Sequence, residues 1–195
     1  MKTITRLLIP SLWMILFTPA FQGFAQGPEY ACICKNLTLL NDKEYKFDIY
    51  IYKDANSPVD LYLNNFQLSF KIANTLAILN GGTLTASYIE GSSELPAGYT
   101  PAKSNVMNLG SLKFVRVNGP PASSAGTFIP VSGLRIGSFK ITNTNSFGKS
   151  PIDFIWNNSP PATTSIRAIY PWTSTEPGVS ATGTAKVITN MSVHK

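Results

Sequence analysis

The chain has 195 residues, with 16 Lys and Arg against 10 Asp and Glu, a single histidine, two cysteines and a formal charge of +6. The histidine, His194, adjoins the last residue. A chain end is not held to the tolerances of general-base chemistry, which argues against a His-based triad or an imidazole metal site. The basic residues are spread along the chain without a run. Nucleic-acid binders gather theirs on one stripe, so no nucleic-acid partner is expected.

At the N-terminus, Lys2 and Arg6 lead into an apolar run over 7–17 and then the small-residue ending Gly23-Phe24-Ala25. This is the layout of a secretory signal peptide over 1–25, with the mature chain starting at Gln26. The run is too short to span a bilayer and contains Pro10, so no membrane insertion is expected after cleavage. The expected location is outside the cytoplasm, extracellular or at the cell surface, with the periplasm also open. Without Lys2 and Arg6 the net charge falls to about +4, and the remaining length suits one sizeable domain. Residues 26–34 are read as an N-terminal extension and 35–195 as a single domain.

Cys32 and Cys34 are one residue apart, too few and too close for a disulfide framework. They are expected to lie as small side chains on one face of an extended segment, since no second Cys or His group completes a zinc set. Beyond them, period-two alternation recurs and no helix-length stretch keeps a 3.6-residue apolar period. In 45–52, Phe47, Ile49 and Ile51 fall on one face, with Asp48, Tyr50 and Tyr52 on the other. In 66–72, Phe66, Leu68, Phe70 and Ile72 alternate with Gln67, Ser69 and Lys71. Further strands are expected over 36–40, 83–89, 111–117, 134–142, 152–156, 165–168 and 184–193. That makes about nine, separated by Gly, Pro, Asn and Asp turn signals.

This pattern predicts an all-β fold, a two-sheet antiparallel sandwich of immunoglobulin-like type rather than a barrel. Gly81-Gly82 reads as a hairpin turn between two strands. The Gly-, Pro- and Ser-rich stretches around 92–104 and 118–132 read as loops across the sandwich end.

The acidic residues are scattered. Asp42 and Glu44, the closest pair, read as solvated turn carboxylates, and no calcium-loop or phosphate-loop pattern occurs, so neither cofactor nor metal is expected. A glycosidase needs two carboxyl groups facing each other across a cleft. The candidates are Asp48, Glu90, Glu94 and Asp153, each expected as a surface carboxylate. Aromatics carry the remaining signal. Tyr170 and Trp172, with Arg167, Asn157 and Asn158, form a candidate carbohydrate platform, because ring faces pack against the C–H faces of sugars while amides and guanidinium groups bond hydroxyls. Trp156 is in phase with Ile152 and Phe154 and should point into the core. Tyr50 and Tyr52 form a second platform, with at least one expected beneath a loop.

Three segments carry a family resemblance: Phe66-Gln67-Leu68-Ser69-Phe70-Lys71-Ile72; Leu76-Ala77-Ile78-Leu79-Asn80-Gly81-Gly82-Thr83-Leu84-Thr85-Ala86-Ser87; and Leu134-Arg135-Ile136-Gly137-Ser138-Phe139-Lys140-Ile141-Thr142. Together they resemble a cohesin-type module, related to some carbohydrate-binding modules, of the kind found in Bacteroidetes surface proteins with a type IX secretion sorting domain. The resemblance implies a nine-stranded jelly-roll sandwich over 35–193. Lys71-Ile72-Ala73-Asn74 stands where cohesins usually carry Tyr-Asp-Pro, so no dockerin-binding residue is carried over, and no sorting domain is read after the last strand.

The expected function is that of a secreted, non-catalytic β-sandwich module for cell-surface binding or adhesion, with polysaccharide or surface proteins as partners. The alternatives are a structural or protein-interaction module of a larger surface assembly, and a glycoside hydrolase with an unrecognised carboxylate pair. Oligomeric state is not legible in the sequence.

Overall fold

Strands whose alternate residues are apolar bury one face and must find a second layer to cover it. The computed structural model describes residues 30–56, 60–73, 75–101, 103–109, 111–119, 126–149, 152–157, 164–169 and 187–188, and shows that solution. The elements in order are β1 (Tyr30–Asn41), β2 (Glu44–Lys53), β3 (Leu61–Ile72), α1 (Thr75–Leu79), β4 (Leu84–Ile89), β5 (Lys103–Leu109), β6 (Leu112–Asn118), β7 (Thr127–Ile129), β8 (Leu134–Asn143), β9 (Phe154–Trp156), β10 (Ser165–Ile169) and β11 (Val187–Ile188). No helix among the described residues is long and apolar enough to cross a membrane.

One sheet has the order β11-β1-β2-β8-β4, and the other is built on β10-β3-β6-β5. All pairings are antiparallel except that of β1 with β11, which joins Tyr30 to Val187 in parallel. The twelve-residue β3 is the spine of the second sheet. On one edge it pairs first with β7, at Leu61–Leu63, and then with β6, at Gln67–Lys71. On the other it pairs with β10 and then with β9. The nine strands expected from sequence answer to β1, β2, β3, β4, β6, β8, β9, β10 and β11 of the eleven described, and β5 and β7 are additional.

The core lies between the sheets. Phe47, Ile49 and Ile51 of β2 and Phe139 and Ile141 of β8 are fully buried against Phe70 and Ile72 of β3 and Phe154 of β9. Each such side chain contributes about 1.5–3 kcal/mol of transfer free energy on burial. The rings form a connected series: Tyr88 lies 5.8 Å from Phe139, Phe139 5.7 Å from Phe47, Phe47 4.9 Å from Phe154, and Phe70 5.7 Å from Trp156. Trp156 is buried beside Phe154, as its phase requires, although its indole N–H has no hydrogen-bond partner.

Several sequence expectations are corrected here. β1 begins at Tyr30, so 30–34 of the expected extension belongs to the sandwich, whereas Cys32 and Cys34 sit as expected, free thiols on one face of an extended strand, buried in the core. Gly81-Gly82 is not a hairpin turn, because β3 and β4 belong to different sheets. The pair instead ends the short helix α1 within the crossover: Asn80 and Gly81 both take positive φ, Gly82 N donates to Leu79 O at 2.8 Å, and a Cβ at Gly82 would strike the Asn143 side chain. Within the stretches read as loops, β7 occupies 127–129 and β5 begins at 103.

Candidate functional site

The solvent face of the five-stranded sheet carries the most concentrated set of functional side chains among the described residues. Because Phe47, Ile49 and Ile51 point inward, Asp48, Tyr50 and Tyr52 must point outward. Tyr50 and Tyr52 stand side by side with ring centroids 6.0 Å apart and planes 31° from parallel. Both are half-buried. The Tyr52 ring rests on Gly133, whose φ of 98° and whose want of a Cβ let the preceding turn pass directly against the ring. This is the packing beneath a loop expected of one of the pair.

Two cations flank the rings from the neighbouring strands. Lys35 of β1 places its ammonium 4.7 Å from the Tyr52 centroid and 5.5 Å from that of Tyr50. Arg135 of β8 is the cross-strand partner of Tyr50. It reaches this face because a register shift between Ile49 and Tyr50 leaves Ile136 out of the pairing. Its Nε is buried without a hydrogen-bond partner, while its backbone N–H donates to the Glu94 carboxylate at 2.8 Å.

Asp48 lies on the same face but is not the surface carboxylate expected of it. It is 6% exposed and accepts from Asn36 Nδ2 at 2.6 Å and Ser138 Oγ at 2.5 Å. A bulge in β1 makes this possible: between Lys35 and Thr38 the register slips, and Asn36 adopts φ of 55°, which asparagine tolerates better than most residues. Asp48 therefore ties β1, β2 and β8 together just below the tyrosines.

The remaining carboxylates singled out from sequence are dispersed. Glu90 is exposed in the turn after β4, and Asp153 is exposed beside β9. Glu44 is ion-paired with Lys140 at 2.9 Å, and the hydrogen bonds it receives from Lys140 and then Asn41 hold its carboxyl below the usual range. Asp42 accepts from Ser146 Oγ at 2.5 Å. In the core, burial pushes both the Cys32 and Cys34 thiols well above their ordinary range.

Of the first platform, Tyr170, Trp172 and Asn158 lie outside the described residues. Asn157 and Arg167 fall on the same edge of β3. The Asn157 backbone N–H donates to Ser69 O at 2.9 Å, whereas Arg167 is paired with Asn65. Four residues of strand, about 13 Å, separate those two positions. Sequence reading found Tyr50 and Tyr52 but missed Lys35 and Arg135, because cross-strand neighbours follow from register and not from sequence spacing.

No protein-family model matches the chain, and no curated protein does. Among solved structures it is similar to the endoglucanase CelQ from Clostridium thermocellum. With the complex of cellobiose and cellotriose it shares 9% identity over 77% of this chain and 26% of that one, at a TM-score of 0.40. With the cellotriose complex the identity is 10%, over 77% and 27%, at a TM-score of 0.41. The chain thus spans about a quarter of those neighbours' length.

Proposed function

We propose that the protein is an exported, non-catalytic binding module that holds carbohydrate at the cell surface through the Tyr50–Tyr52 face. The observation that carries this reading is the pair of adjacent tyrosine rings, tilted 31° to each other, on the solvent side of the sheet, with Lys35 over them and Arg135 opposite Tyr50 in register. Two adjacent rings offer a continuous surface for the C–H faces of successive sugar units. The flanking cations donate hydrogen bonds to hydroxyls at its margins.

The contact of Lys35 with the rings is no obstacle. A cation–π contact at a partly exposed site holds only about 0.5–1 kcal/mol, which stacking of a sugar readily offsets. The preorganised platform also keeps the ordering cost of binding low, since two strands and the Gly133 turn already fix the rings. Export rests on the signal-peptide pattern over 1–25, and the absence of catalysis on the dispersal of the described carboxylates.

A glycan array probed with the purified protein tests the reading. Retention on at least one glycan is expected, with loss of that signal in a Tyr50→Ala, Tyr52→Ala double variant whose melting temperature stays within a few degrees of the parent. A blank array, or undiminished binding by the folded double variant, sinks it in favour of a protein-interaction module.

A further inference from the structure

A second opening lies on the opposite side of the β8–β4 pair from the tyrosines, where the free edges of the two sheets face each other. Elsewhere between the sheets Phe, Ile and Leu fill the space. At one point along this edge the inward positions are small, Ala86 on β4 and Ser104 on β5, although their neighbours in phase, Leu84 and Tyr88 on β4 and Val106 on β5, pack against the core. An open groove of about 660 Å³ lies between β4 and β5. That is within the range of ~300–1,000 Å³ typical of small-ligand sites.

The lining has a definite chemistry. Ser87, Thr100, Ser104, Asn105 and Asn118 contribute hydroxyls and amides, groups that both donate and accept. Glu90 supplies a carboxylate at one lip, and none of the described lining residues is cationic. Tyr88 also lines the groove, its ring packed on Phe139 and over Gly137, and its hydroxyl is buried without a protein partner. Ala86, Pro101 and the Tyr88 ring are its main carbon surface.

We propose that this groove is a second ligand site, separate from the tyrosine face, that takes a neutral hydroxyl-rich oligosaccharide. Sugar hydroxyls donate and accept at once and so match the lining group for group. The lone carboxylate is suited to accepting from two adjacent hydroxyls. It disfavours an acidic chain, which would meet Glu90 with no cation among the described lining residues to offset the repulsion.

The test is amide chemical-shift mapping on the 15N-labelled protein, titrated to 10 mM with maltohexaose, xylohexaose, mannohexaose or an α-1,4-galacturonate hexamer. At least one neutral hexasaccharide should move the amides of residues 87–91 and 103–105, and the galacturonate hexamer should not. Ser104→Phe, which fills the groove, should weaken that titration at least tenfold, whereas the Tyr50→Ala, Tyr52→Ala variant should leave it unchanged. Shifts produced by none of the neutral sugars, or equally by the acidic one, overturn the proposal. So do shifts that vanish with the tyrosines, which would leave the first site as the only one. The wild-type map decides the matter even if Ser104→Phe fails to fold.

Discussion

Phe47 of the five-stranded sheet meets Phe70 of the facing sheet edge-on, with centroids 5.5 Å apart and planes at 88°. The pair bridges the two layers. Both rings are fully buried, and Phe70 also lies 4.7 Å from Phe154. Edge-to-face geometry suits the ring quadrupoles and adds about 0.5–1.5 kcal/mol beyond burial for each such pair. Phe70→Ala should therefore cost about 3–5 kcal/mol by urea unfolding. A loss below about 1 kcal/mol would mean that the neighbouring rings close the cavity.

The Asp48 carboxylate has two neutral donors, Asn36 and Ser138, and little solvent. Removing one leaves a buried lone pair unmet, at a cost of about 1–3 kcal/mol. Ser138→Ala is expected to destabilise the protein by that amount in chemical denaturation, while Ser146→Ala, whose hydroxyl serves the exposed Asp42, should change stability by less than about 0.5 kcal/mol. Equal effects from the two variants would show that Asp48 is not a tie between strands.

Cys32 and Cys34 should resist thiol reagents in the folded protein. The reactive species is the thiolate, and burial holds both thiols protonated far above neutral pH. Ellman's reagent at pH 8 should label neither within the time that labels both in guanidinium. Rapid labelling of the native protein would place β1 outside the core.

Glu44 gives a pH dependence of known sign. Its carboxyl titrates lower when folded than unfolded, through Lys140 and Asn41. Its contribution is therefore present at neutral pH and is lost as pH falls below the ordinary glutamate range through the depressed folded value. The difference in melting temperature between the parent and Glu44→Gln should be small and positive at pH 7 and should shrink toward pH 3. A gap that widens on acidification contradicts the pairing.

What sequence could and could not reveal follows from where the determinants lie. The alternation in Phe47-Asp48-Ile49-Tyr50-Ile51-Tyr52 is local, so both faces of β2 were legible, down to the pairing of the two tyrosines. The burial of Asp48 was not, because it depends on a bulge at Asn36 and on a hydroxyl from β8, ninety residues away. β5 escaped notice because an edge strand need bury only part of one face, and Ser104, Asn105 and Asn108 dilute its apolar period. Gly81-Gly82 misled because a helix stop and a hairpin make the same demand on the backbone: positive φ without a Cβ. The groove between β4 and β5 was invisible for a related reason, since it lies between strands that meet only across the layers.

The parallel pairing of β1 with β11 bears on how the chain reaches this state. Tyr30 waits for Val187, a partner 157 residues later, before the Tyr30–Ala31 end of that edge is covered. Entropy charges only logarithmically for so long a loop, but time is another matter, since non-local pairings are slow to form. During synthesis β1 emerges well before β11, and the Tyr30 end of its outer edge stays an open template for stray strands until Val187 has been made. Ribosome-stalled chains ending before Val187 should accordingly aggregate or bind chaperones. A circular permutant that joins the ends and opens the chain between β6 and β7 would bring the first and last strands together early and fold faster.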